Sequence, residues 1–319
     1  MLSAPPVFAD PPDEADAPAD EEAPNPAPAL GKYYPPPVDG PALRLAHPPA
    51  RLYLDGAYAT SNDLSGLPYI AGKGRNLRFA AGGTLRWRSF AFDAELNFLN
   101  VTTIDVTNVP GGVPVPEDAH QTSIALGDLR LGAVWSIPIV GKESLVGGVG
   151  LRARLPTHTT TFSFQLIDMT YADFVIPYYF HVEPTLILGG ALGRFTFAVN
   201  QGVTVFVGPD GHIRDETLTV PTIYFWDAHY AVSWAPWRFL GASVELTTDI
   251  QLNRVPGVDF AKLNDVRAAW VAPALQVHVG DYRIDGIARL GLNRSQELYG
   301  VLEYVGMHSF TLRVTRHFR

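Results

Sequence analysis

From Arg51 onward the chain is built of segments in which apolar and polar side chains alternate residue by residue, each bounded by Gly, Pro, Asn or Asp. The clearest case runs from Leu240 to Asn253. There Leu240, Ala242, Val244, Leu246, Thr248, Ile250 and Leu252 alternate with Gly241, Ser243, Glu245, Thr247, Asp249, Gln251 and Asn253. Successive side chains on a strand point to opposite faces, so this segment predicts a strand with one oily and one polar side. The same texture recurs in Leu77, Phe79, Ala81, Leu85 and Trp87 against Arg78, Thr84, Arg86 and Arg88. It returns from Leu145 to Leu155, where Arg152 and Arg154 share the polar face, and around Gly193-Arg194, where Gln201 is the single polar member of an apolar row.

Segment length narrows the fold further. Strands of soluble domains are typically about 5 or 6 residues long, whereas about 9 to 11 are needed to cross a bilayer at a tilt. These segments fit the longer figure. No stretch approaches the roughly 18 uninterrupted apolar residues of a membrane helix, so a membrane span would be made of strands. Candidate strands centre near residues 55, 82, 96, 130, 150, 184, 201, 229, 246, 273, 287 and 312.

Connections between them alternate short and long. Short ones fall at 88–90, 137–143, 192–194, 235–238 and 280–282, long ones at 61–74, 105–121, 156–175, 208–221, 252–265 and 294–306. Alternating loop length is the signature of an outer-membrane β-barrel, with short turns at one end and long loops at the other. A soluble β-sandwich would need no such alternation. Trp87, Trp135, Trp234 and Trp237 stand beside the short turns, and Tyr58, Tyr178, Tyr224 and Trp226 near the long loops. Two interfacial aromatic belts would place them so. The expected fold is an all-β antiparallel transmembrane barrel of about twelve strands over residues 51–319.

Residues 10–50 have no periodic apolar face and are rich in Pro, Ala, Asp and Glu, so they read as a disordered acidic tail. Eight acids stand against Lys32 and Arg44 in the first fifty residues, and most of the net charge of -8 therefore lies there. The barrel segment is nearly neutral, which argues against nucleic acid as a partner. Val7 and Ala9 occupy positions a signal peptidase prefers, so residues 1–9 read as a signal-peptide remnant, or equally as a disordered start containing a common triplet. With no Cys, disulfides, thiolate metal sites and Cys nucleophiles are excluded.

The last segment resembles the C-terminal insertion signal of outer-membrane barrels, with Phe310, Leu312, Val314 and Phe318 forming its apolar row. Arg316 interrupts that row and is expected to snorkel to the interface. Gly127-Asp-Leu-Arg-Leu-Gly and Leu151-Arg-Ala-Arg-Leu-Pro-Thr157 resemble segments of the phenol-degradation and fatty-acid-channel type of outer-membrane transporters, although His158 stands where that group usually has Gly. The resemblance implies a Gram-negative outer-membrane location with a periplasmic tail, contact with outer-membrane lipid and the barrel-assembly machinery, and passage of a small solute, hydrophobic ones included.

If the apolar rows face lipid, the lumen receives Asp55, Arg78, Arg86, Arg88, Asp93, Glu95, Asp128, Arg130, Arg152, Arg154, His181, Glu183, Asp227, His229, Glu245, Asp249, Arg283, Asp285 and Arg289. Signs nearly balance, and buried charges demand partners. Expected networks join Arg86 or Arg88 to Asp93 and Glu95, and Asp128 and Arg130 to Arg152 and Arg154. Such a lumen serves either as a narrow channel or as the filling of a barrel used as an anchor. A barrel hydrolase is the third reading, but His308-Ser309 is the one adjacent pair and neighbouring strand residues face apart. No histidine shows metal-ligand spacing and no phosphate loop occurs, so neither catalytic residues, cofactor nor metal is assigned. The loop at 156–175, with Phe162, Phe164, Met169 and Tyr171, is a candidate constriction or lid.

Overall fold

The computed structural model describes Leu45 and residues 48–61, 71–108, 120–140, 145–155, 160–165, 171–176, 180–207, 211–213, 216–218, 222–253, 267–292 and 308–318. In chain order the strands are β1 (Arg51–Ser61), β2 (Ala71–Trp87), β3 (Phe90–Asn108), β4 (His120–Ala125), β5 (Leu129–Val140), β6 (Leu145–Leu155), β7 (Thr160–Gln165), β8 (Tyr171–Ile176) and β9 (Phe180–Leu192). They continue with β10 (Phe195–Val207), β11 (Gly211–Ile213), β12 (Glu216–Leu218), β13 (Ile223–Trp237), β14 (Leu240–Gln251), β15 (Arg267–Val279), β16 (Tyr282–Gly291) and β17 (His308–His317). The described residues contain no helix.

The main sheet closes on itself. Antiparallel pairings run from β1 through β2, β3, β5, β6, β9, β10, β13, β14, β15 and β16 to β17, which pairs back onto β1. The result is a closed twelve-stranded barrel, and each of the sequence-derived centres falls on one of its strands. At the seam Arg51 lies opposite His317 and Thr60 opposite His308, with Phe318 donating its N–H to the Ala50 carbonyl at 3.0 Å. Both ends of the barrel segment therefore emerge at the short-turn end.

β4 and β5 pair along one edge of β3, with Asn100–Asp105 and Phe90–Leu96 respectively. Between them the chain bulges. Gly127 donates to the Asn97 carbonyl at 2.7 Å, and Asn97 donates to the Asp128 carbonyl at 3.1 Å. A Cβ on Gly127 would stand 2.3 Å from the Asn97 Cβ, so only glycine permits the approach. The same bulge lies within the Gly127-Asp128 motif and sets where Asp128 enters the lumen.

Two expected long loops contain strand pairs of their own, β7 with β8 and β11 with β12. Thr160–Gln165 and Tyr171–Ile176 are rich in β-branched and aromatic residues, which favours pairing even where a segment is too short to span. The residues 1–44, including the expected signal remnant and nearly all of the acidic tail, lie outside the described residues, as do Met169 and Tyr178.

Alternation sorts the two faces. Outward residues such as Leu54, Leu85 and Leu186 are 60%, 69% and 66% exposed, while inward Arg283 and Asp285 are fully buried. In a water-soluble protein this would be inverted. At the short-turn end the outward aromatics form stacked steps across neighbouring strands, Trp87 on Phe90 at 6.5 Å and Phe90 on Trp135 at 6.4 Å between centroids. Phe195 with Trp234 and Trp237 with Phe239 continue the belt on the other side. Tyr58 and Tyr224 are exposed at the loop end.

Among the tight turns, Gly193 and Gly280 take φ of 58° and 61°, and Arg88 takes the same left-handed conformation at 54°. Only Arg88 carries a Cβ there, at a cost of about 1 kcal/mol. Replacing Arg88→Gly should raise the stability of the refolded barrel by up to about that amount. The shift in the urea midpoint measures it, and an unchanged or lower midpoint speaks against a strained turn.

Candidate functional site

The lumen is the one place where these strands gather chemically active side chains, and its contents follow from register. Asp55 on β1 accepts from Arg313 Nη2 of β17 at 2.7 Å and lies 3.8 Å from Arg78 Nη2 of β2. This carboxylate ties three consecutive strands across the closing seam. Arg313 also covers the Tyr53 ring at 4.6 Å, and the Tyr53 hydroxyl donates to Glu95 Oε2 at 2.7 Å. Glu95 in turn meets Arg130 at 3.4 Å. Farther round, Arg154 donates to Asp128, Arg152 lies 3.6 Å from Glu183, and Arg283 Nε donates to Asp285 at 2.9 Å. All of these groups except the half-buried Tyr53 are buried.

The opposite wall has a different character. Among the described residues, the inward rows of β10, β13 and β14 contain no Lys or Arg. Asp227 stands directly across from Asp249, and Ala231 across from Glu245. Thr204 donates to Asp227, Thr247 donates to Glu245 Oε1 at 3.1 Å, and the His229 ring nitrogen Nδ1 is 3.3 Å from the Thr247 hydroxyl. The lumen thus has an arginine-bearing wall facing an acidic one, although the two signs nearly balance overall.

Arg78, Glu95, Asp128, Arg130, Arg152, Arg154, Glu183, Asp227, Glu245, Asp249, Arg283 and Asp285 are buried, as are Asp55, His181 and His229. Asp93 and Arg289 are half-buried in the same inward rows. Arg289 lies over the Trp270 ring at 4.3 Å. Arg88 is not a lumen residue. It occupies the turn after β2 with its guanidinium 5.2 Å from the centre of the outward Trp87 ring. Arg86 is exposed at the rim, where its Nε donates to the Arg88 carbonyl at 3.4 Å. Neither is the partner of Glu95, because the β2–β3 register sets Glu95 opposite Gly82, well up the strand from the turn. The second expected network forms in part, through Asp128 and Arg154, while Arg152 turns to Glu183.

The C-terminal row Phe310, Leu312, Val314 and Phe318 faces outward and is exposed. Arg316 lies in the same row with its guanidinium 5.8 Å from the Tyr282 ring and 5.4 Å from Phe318, the placement expected of a snorkelling residue. His308 accepts from the Gly291 N–H at 3.4 Å. Ser309 lies opposite Arg289, on the other face of β17. Among the described residues no three His, Asp or Glu side chains are placed to hold a metal ion. Phe162, Phe164 and Tyr171 belong to the β7–β8 hairpin, with Phe162 opposite Phe174.

Several lumen residues were not expected. Arg51 and Arg313 share the seam with Asp55, while Asn200, Gln276, Phe206, Phe225 and Trp270 are buried in inward rows. Arg313 was legible by the same alternation that exposed Leu312 and Val314. Phe225 was not, because Ile223-Tyr-Phe-Trp226 is aliphatic or aromatic at every position.

No family profile matches the sequence and no curated protein is similar to it in sequence. Solved structures do resemble it. An outer membrane channel from Pseudomonas putida F1 aligns over 88% of this chain and 99% of its own, with TM-score 0.54 and 12% identity. The translocator domain of the autotransporter NalP from Neisseria meningitidis aligns over 85% and 89%, again with TM-score 0.54 and 12% identity. The transport unit of the autotransporter AIDA-I from Escherichia coli aligns over 86% and 91%, with TM-score 0.50 and 8% identity. These likenesses establish the fold, that of an outer-membrane β-barrel.

Removing one partner of a buried ion pair leaves the other charge uncompensated and typically costs about 3–5 kcal/mol. Asp55→Ala should therefore lower unfolding free energy in detergent by about that much, and the double variant Asp55→Ala with Arg313→Met should recover part of the loss. Urea titration of the three proteins decides it. Equal stability of the single variant and the parent would mean that the seam pair contributes nothing.

Proposed function

We propose that the chain is a narrow channel through the Gram-negative outer membrane for passive passage of a small solute. The observation that carries this reading is the uneven lumen. A barrel filled only for strength would neutralise each buried charge locally, as Asp55, Glu95, Asp128 and Glu183 are neutralised. Asp227 and Asp249 by contrast stand opposite each other on inward rows that carry no Lys or Arg among the described residues. Opposed walls of unlike sign set a field across a pore, and a polar solute aligns in such a field. Twelve strands enclose a bore between that of filled eight-stranded barrels and that of open sixteen-stranded porins. The likeness to a Pseudomonas putida outer membrane channel agrees with it at the level of fold.

On this reading the apolar outward rows contact outer-membrane lipid, the barrel-assembly machinery reads the strand ending at Phe318, and the N-terminal tail lies in the periplasm. No catalytic role is assigned, since the outward His308 and inward Ser309 do not form a nucleophile pair. A second reading has one observation in its favour. The extent of buried ion pairing in the lumen suits a filled barrel that serves as an anchor.

Planar-bilayer recording separates the two. The channel reading expects discrete small conductance steps with weak cation-over-anion selectivity, because the charges nearly balance. A silent membrane carrying correctly folded protein, together with no solute uptake in liposomes, leaves the anchor.

A further inference from the structure

The wall formed by β10, β13 and β14 is unlike the rest of the lumen in three respects that converge on one ligand chemistry. Among the described residues, its own inward rows carry carboxylates but no Lys or Arg. Asp227 faces Asp249 across the β13–β14 ladder, and its contacts are the Thr204 hydroxyl and Asp249. Adjacent carboxylates repel unless a proton or a cation is placed between them. Asp227 Oδ1 is buried without a hydrogen-bond partner.

Asn200 supplies an independent sign. It lies opposite His229, one inward row from Asp227 toward the short turns, and it is 0% exposed. Neither its amide oxygen nor its amide nitrogen has a hydrogen-bond partner. A buried amide left so is costly, and it offers an acceptor to an incoming N–H donor. On the loop side of Asp227 the lumen turns aromatic. Phe206 meets Phe225 edge-on at 5.4 Å, and His181 meets Phe206 edge-on at 5.2 Å. An apolar tier therefore sits directly above an acidic one.

We propose that this wall binds an amphipathic organic cation, with its ammonium group held by Asp227, Asp249 and the Asn200 carbonyl and its apolar body against Phe206 and Phe225. The solute enters from the loop side by parting the edge contact of the two rings. Binding needs no bond making or breaking. Ammonium N–H groups donate to carboxylate and amide oxygens, and the ring faces supply cation–π attraction as the charge passes. The proposal rests on the channel reading for the solute's route, but not for the existence of the site.

Calorimetric titration of the full chain refolded in detergent tests it, with 2-phenylethylamine, phenylacetate and putrescine as probes. The first two share a ring and differ in charge, while the third has charge without a ring. The expected result is that 2-phenylethylamine binds at least about ten-fold more tightly than either of the others. Asp227→Asn should abolish the preference over phenylacetate, and Phe225→Leu should remove the preference over putrescine. The boiling-dependent shift on gels verifies that each variant is folded, and Asp249→Asn replaces Asp227→Asn if the latter is not. Equal binding of amine and acid, equal binding of the two amines, or a preference that persists in both carboxyl variants overturns the proposal. Binding without conductance keeps the site and removes the channel reading, whereas conductance without binding removes the site alone.

Discussion

Closure is the constraint on which the rest of the molecule depends. In hydrocarbon no water is present to satisfy a free N–H or C=O, and each unsatisfied group costs several kcal/mol. A sheet can cross a bilayer only when its first and last strands pair. Here β1 and β17 do so, and Asp55 and Arg313, separated by 258 residues in the chain, add a buried ion pair to the backbone ladder. The pairing of β17 with β1 is thus what removes the sheet's edges.

Closure also fixes what lies inside. Once register is set around the ring, every second side chain enters a confined volume, and its neighbours are chosen by pairing rather than by chain proximity. Glu95 meets Arg130 because β3 pairs β5 in that register, and Arg152 meets Glu183 because β6 pairs β9. Charges of both signs are tolerated where a partner is delivered in this way. Their distribution around the ring, arginines paired with carboxylates on most strands and carboxylates without Lys or Arg on the inward rows of β10, β13 and β14, follows from which strands carry them and makes the lumen uneven.

The sequence made the barrel legible because its strands are long and sharply two-faced. Leu240 to Gln251 shows oil on one side and polar groups on the other at nearly every step, and β14 follows it residue by residue. Alternation alone likewise puts Arg152 and Arg154 on one polar face, and both are buried. Partners were harder, since they depend on register between strands. The bulge at Gly127 shifts β4 and β5 against β3, and nothing in the local pattern measures that shift. Arg88 stands one residue past the end of β2, in the turn, where alternation no longer sorts side chains to faces. Phe225 and Trp270 leave no mark in the sequence, because apolar inward residues break no pattern in segments such as 223–226 and 268–275 that have no polar row.

Closure can be read directly, because the chain contains no native cysteine to confuse the result. Leu54 and Val314 are paired across the seam, which brings their Cα atoms to a separation that a disulfide spans. The double variant Leu54→Cys with Val314→Cys, folded into liposomes and oxidised, should form an intramolecular disulfide efficiently. Pairing Leu54→Cys with Ile284→Cys, which lies one strand farther round, should not. A seam that fails to cross-link in folded protein, or cross-links no better than the control pair, would contradict the closed barrel.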